Sequence, residues 1–104
     1  WFIFPQLEGL SLSATSKKFA ISCLDEAVAY LNHPVLGTRL LDCTDLVTSV
    51  SGRTIHRILG PIDSMKFQSS MTLFTHATTA NQAFQDALRK YYSGQYDPLT
   101  LAML

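Results

Sequence analysis

The stretch Gly60 to Ala77, GPIDSMKFQSSMTLFTHA, constrains the fold more than any other, because its polar residues interrupt its own apolar face. At about 100° per residue, Ile62, Phe67, Met71, Leu73, Phe74 and Ala77 share one broad side of a helix. Asp63, Lys66 and Ser70 fall in the same arc, while Ser64, Gln68, Ser69, Thr72, Thr75 and His76 take the other side. Unpaired buried polar groups cost roughly 1–3 kcal/mol and charges more, so an acid, a base and a hydroxyl on a core-facing surface must find partners.

The chain of 104 residues, 47% hydrophobic and 11% aromatic, suffices for one domain with a single core. Eight Lys plus Arg balance eight Asp plus Glu. That balance argues against a broad nucleic-acid surface or an anionic membrane as partner, although a local basic patch is compatible with it. No apolar run approaches the roughly 20 residues of a membrane span, and WFIFPQ has no basic leader region or cleavage site. A soluble, cytoplasmic protein is the expectation. The start at Trp1, without an initiator Met, points to a piece of a longer product. Cys23 and Cys43 have neither C-x-x-C nor zinc-ligand spacing, so they read as small core residues, with a disulfide or redox thiol as the alternative. No metal and no cofactor are expected.

In chain order, Trp1 to Pro5 reads as an extended aromatic lead-in buried across the core. Glu8 to Ser16 reads as a loop, and Thr15 to Ala20 as one short turn with Lys17 and Lys18 outward. Ser22 and Asp25 form a capping-box-like start to a helix over Cys23 to Asn32. His33-Pro34 breaks it, and Pro34 suits the first position of the next helix. His33 then sits at a corner satisfied by backbone or water, or serves as a ligand contact. From Pro34 to Ser49, the apolar residues Leu36, Leu40, Cys43, Val47 and Val50 make a clear helical stripe. Arg39 lies on its edge, suited to a structural carboxylate pair or to substrate. Thr54 to Leu59 reads as a short helix closed by Gly60 in the left-handed cap position. Arg53, His56 and Arg57, with Lys66 beyond, make the local excess of positive charge: either a solvated face or a docking point for phosphate or carboxylate. The free N–H groups at the Pro61 helix start could help hold such an anion. Thr79 and Asn81 are candidate caps for a helix through Tyr92, with Phe84, Leu88 and Tyr91 inward and Asp86 facing Arg89 or Lys90. Gly94 stops it. Asp97-Pro98 starts a final helix, too apolar to stand in water. The fold class expected is all-α: a compact single-core bundle of about five short helices behind the aromatic lead-in.

With WFIFPQLEGLS, LDEAVAYLNHPVLGTRLLDC and KFQSSMTLF in view, the chain resembles the domain-of-unknown-function 1810 family over essentially its whole length. The resemblance implies a compact, mainly helical intracellular domain with no established activity; the calpastatin label carried by some members finds no support in these residues. Relatives of this type carry a further N-terminal helix and a basic His/Trp stretch before the FPQ motif, so the chain reads as a domain lacking that helix. Where relatives have Tyr-Gly-Ile, this chain has Phe19-Ala20-Ile21, which removes a hydroxyl.

Standard catalytic and nucleotide signatures are absent, including G-x-S-x-G, the P-loop, G-x-G-x-x-G and H-E-x-x-H. Lys66 with Ser69 and Ser70 resembles a Ser-Lys pair in reversed order. Two functions stand against each other. One is a non-enzymatic module that binds a protein partner or small anionic ligand, in which Asp63, Lys66, Ser70 and Arg39 form a buried polar network. The other is a hydrolase or glycosidase acting on a nucleotide or ADP-ribose-like substrate, with Arg53, Arg57 and Lys66 on phosphate and Asp63 as general base or cation stabiliser. The second requires Asp63 and the arginines to line one open cleft.

Overall fold

A computed structural model describes residues 4–7 and 20–104. Trp1 to Ile3 of the lead-in, the Glu8 to Ser16 loop and the turn before Ala20 lie outside the described residues. Six helices follow in order among the described residues: α1 (Leu24–Asn32), α2 (Leu36–Ser49), α3 (Ile55–Leu59), α4 (Pro61–Ala77), α5 (Gln82–Tyr92) and α6 (Pro98–Met103). The all-α expectation holds, with one helix more than the approximate count. A radius of gyration of 12.5 Å matches the roughly 13 Å of a compact chain of about 100 residues.

The lead-in is buried as expected where it is described. Phe4, Pro5, Gln6 and Leu7 are all buried, the Phe4 ring meets Phe67 edge-on at 4.9 Å, and the Ile21 N–H donates to Gln6 O at 2.8 Å. Leu7 and Ile21 form an isolated parallel bridge. Phe67, Phe74, Phe84, Leu40, Met71, Leu73 and Leu88 fill the core between α2, α4 and α5. Rings of Tyr30, Phe74 and Phe84 stack through it at 5.6 and 5.7 Å, a spacing at which tilted aromatic pairs are favourable.

Local capping differs from the sequence expectation in instructive ways. Ser22 does not accept from the helix; its N–H and its hydroxyl both donate to the Glu26 carboxylate, the former at 3.0 Å, and Glu26 rather than Asp25 completes the box. These bonds hold the Glu26 carboxyl below its usual range. Pro34 is not the first residue of α2. It lies in the turn before it, where His33 Nδ1 accepts from the N–H groups of Val35 at 3.2 Å and Leu36 at 3.1 Å. Gly60 has φ +90 and ψ 162, so it is not the left-handed cap expected; it occupies a region open essentially to glycine alone, which turns α3 directly into α4. Asn81 precedes α5 but bonds Thr75 O through Nδ2 at 2.9 Å instead of capping, and Thr79 takes no capping role there. At the far end Ser93 is left-handed, and the N–H groups of Ser93 and Gly94 both converge on Leu88 O, the latter at 3.0 Å, which closes the helix.

The core expectation is corrected for Cys23 and holds in part for Cys43, which packs against the core. Cys23 is exposed because it occupies the N-cap position of α1, and Cys43 is half-buried; both are free thiols. α6 does pack back, but through its polar side: Thr100 is fully buried while Leu99 is 67% exposed.

Two contacts fix α2. Lys90 Nζ donates to Thr48 O and, at 2.7 Å, to Val50 O, while the Tyr91 hydroxyl donates to Val47 O at 2.5 Å. A cation and a hydroxyl thereby satisfy the orphan carbonyls at the negative helix end. At the other end Gly37 meets α1 backbone to backbone. A Cβ there would lie 2.0 Å from Leu31 O, with nothing flexible to yield. Gly37→Ala is therefore expected to cost about 3 kcal/mol, by forcing the two helices apart, read as a lowered urea midpoint.

Candidate functional site

α4 is buried on both sides, and this decides where its polar residues go. The face expected to be polar and outward is largely interior: Ser64, Ser69, Thr72 and Thr75 are buried, Gln68 is half-buried and His76 alone of that set is exposed. Conversely Ile62, expected on the core side, is 69% exposed. Leu73, only about 20° away around the helix, is fully buried, so it is the place of Ile62 in the first turn rather than its face that exposes it.

The hydroxyl face is covered by the segment from Tyr92 through α6. The Tyr92 hydroxyl donates to Ser64 O, Gln68 Nε2 donates to Gln95 O at 3.1 Å, and the Asp97 N–H donates to Thr72 Oγ1 at 2.9 Å. Asp97 Oδ2 accepts from Thr100 N–H at 2.9 Å and Thr100 Oγ1 at 2.6 Å, with Ser69 Oγ at 3.2 Å. The Tyr96 ring meets His76 edge-on at 5.0 Å. Ser69, Thr72 and Thr75 also donate to the carbonyls of Met65, Gln68 and Met71, four residues back. These hydroxyls are structural.

The residues singled out for chemistry are not gathered into one place. Asp63 is half-buried in the first turn of α4, where an acid suits the positive helix end. Lys66 is half-buried and engaged within the fold. Ser70 is fully buried and its hydroxyl has no hydrogen-bond partner, so it joins neither a Ser-Lys pair nor a network with Arg39. Arg39 is exposed on α2 and reaches the Tyr30 hydroxyl. His33 is spent on the start of α2. Arg53, His56 and Arg57 remain exposed around α3, where Thr54 caps by accepting from Arg57 N–H at 3.3 Å.

Two clefts can be described. One of about 230 Å³ is lined by Leu7, Ser22, Cys23, Leu24, Met103 and Leu104, and one of about 80 Å³ by Gln85, Leu88, Arg89, Gly94 and Tyr96. Neither contains Asp63, Lys66, Arg53 or Arg57. The hydrolase arrangement, with acid and arginines around one opening, is not supported by either. Among the described residues no group of three or more His, Cys, Asp or Glu is placed to hold a metal ion, and no helix is long and apolar enough to cross a membrane. Sequence reasoning missed the role of Tyr92, Gln95 and Tyr96. The available signal was the run of hydroxyls on α4, which needed a polar cover, with Gly94 to Pro98 the polar segment near at hand.

Thr72→Val removes the acceptor for the Asp97 N–H while keeping the side-chain shape. It is expected to lower stability by about 1–3 kcal/mol in urea unfolding, with Thr72→Ser close to wild type. Burial pushes the Tyr92 phenol well above its ordinary value, and raises Tyr30 and Tyr91 in the same direction. A raised folded-state value means that the stability contribution is fully present below the unfolded phenol value of about 10 and is lost as pH rises past it. Urea midpoints between pH 8 and 11 should therefore fall more steeply for wild type than for Tyr92→Phe.

The comparisons agree with this architecture. No protein of curated function matches the chain. The crystal structure of the conserved hypothetical protein Rv1873 from Mycobacterium tuberculosis superposes with a TM-score of 0.98 at 54% sequence identity, covering 100% of this chain and 74% of that one. The family described as "Protein of unknown function (DUF1810)" matches residues 1–104, and the chain belongs to it.

Proposed function

We propose that this chain is a non-catalytic binding domain whose ligand is anionic and is met at α3. The observation that carries the reading is the charge state of that short element. Arg53, His56 and Arg57 are exposed, and no carboxylate pairs with them among the described residues, where the ion pair to be seen joins Arg89 and Asp86 at 3.5 Å. In a chain of zero net charge, two exposed arginines four residues apart in the sequence, Arg53 just before α3 and Arg57 within it, are a local feature, and their planar forks suit carboxylate or phosphate oxygens. The other candidate contacts are engaged elsewhere: His33 as a cap, Arg39 on Tyr30, Lys66 within the fold. A binding role also fits a fold whose buried hydroxyls on α4, Ser70 apart, bond backbone or neighbouring side chains rather than lining an opening. The two free thiols fit a reducing, cytoplasmic setting.

Isothermal titration with pyrophosphate at low ionic strength tests this. Binding is expected for the wild type, weakened at least tenfold by Arg53→Gln with Arg57→Gln, and weakened by added salt as exposed charge pairs are screened. No measurable heat from the wild type would overturn it.

A further inference from the structure

Beside the α3 bases lies an apolar strip that a small anion would leave in water. Ile62 and Met65 are each 69% exposed and stand three residues apart on the first turns of α4, hence on neighbouring positions of one face. The turn of α4 that carries Met65 is tied to the start of α6. Met65 O accepts from Ser69 Oγ at 3.1 Å, and that same hydroxyl lies 3.2 Å from Asp97 Oδ2, the carboxylate that caps α6. Leu99, 67% exposed, is the second residue of α6, two positions after Asp97. At the opposite end Gly60 alone separates the strip's helix from α3, so Arg57 lies within five residues of Ile62, a chain reach of at most about 18 Å.

We propose that this strip is the docking surface for an acidic amphipathic helix of a protein partner. Apolar side chains spaced three and four residues apart on the partner would cover Ile62, Met65 and Leu99, and its carboxylates would meet Arg53, His56 and Arg57. Charge complementarity selects this occupant: a cationic helix is repelled at α3. An anionic lipid surface is served by clusters of about four to eight Lys and Arg, whereas this end offers two arginines, Arg57 in α3 and Arg53 just before it. The inference rests on the anionic-ligand reading of α3 and adds the class of its partner.

The test is fluorescence anisotropy on the full chain. The probe is a labelled peptide of about fourteen residues, long enough to form a helix on binding, built of Leu at three- and four-residue spacing with Glu and Ala between. Parallel arms use the same peptide with Lys for Glu, pyrophosphate, and phosphatidylserine vesicles. The acidic peptide is expected to bind, to weaken at least tenfold on Met65→Ser with Leu99→Ser, and to weaken similarly on Arg53→Gln with Arg57→Gln; the Lys peptide is expected not to bind. Both pairs alter exposed side chains, and circular dichroism checks that each variant is folded. Acidic-peptide binding unchanged by Met65→Ser with Leu99→Ser overturns the inference, as does binding to vesicles without binding to the peptide. Arginine-dependent pyrophosphate binding with no peptide binding overturns the partner class alone. Loss of both peptide and pyrophosphate binding overturns the anionic-ligand reading as well.

Discussion

A buried hydroxyl must give its proton to something, and this requirement organises the molecule around α4. The helix has packing elements on both sides, so it cannot turn a polar stripe to water. Ser69, Thr72 and Thr75 solve part of the problem alone by donating to the carbonyl four residues back, which uses the hydroxyl proton without a partner from another element. What remains is acceptor capacity, and Thr72 uses it to receive the Asp97 N–H. The Tyr92–Thr100 segment is therefore held less by apolar burial than by hydrogen bonds directed at one helix face. Ser70 departs from this pattern: it is fully buried but without a bond of either kind.

The same constraint explains which parts of the fold were legible. Helix positions followed from periodicity and from Pro and Gly punctuation: the stripe of α2, the Pro61 start of α4, and Asp97-Pro98 ahead of α6 all stand as the sequence suggests. These are local signals, set by propensity and capping within a few residues. The burial of α4 was not local. A helical wheel divides a helix into an apolar and a polar half on the premise that one half meets water, and α4 breaks the premise because α6 and the segment before it cover the polar half. His33 shows an intermediate case. Its corner position was readable, but the turn that places Pro34 before α2 rather than inside it depended on the imidazole replacing a Ser or Asp as cap.

For the candidate site, the sequence marks Arg53, His56 and Arg57 as a local excess of charge, and the structure leaves their side chains exposed. Of the network expected from Asp63, Lys66, Ser70 and Arg39, Ser70 takes no part, because membership of one arc on one helix says nothing of what a neighbouring helix offers. Arg39 illustrates the point: it bonds a phenol on α1, a partner its own helix does not reveal. The division that results is a physical one. Most polar groups near the centre of α4 are consumed by the fold, while Arg53, His56 and Arg57 at the α3 end stay exposed.

The closure of α2 by Lys90 and Tyr91 has a temporal side. These bonds join residues 40 to 44 positions apart, so the last turn of α2 is completed by chain that arrives much later. Local contacts form early and distant ones wait for loop closure. During synthesis α1 and α2 can meet at Gly37 as a hairpin soon after both have emerged, yet the C-terminal carbonyls of α2 stay hydrated until α5 exists to take them. The order in which the helices are made thus sets an order in which they can be finished, with α2 begun among the first and sealed near the end.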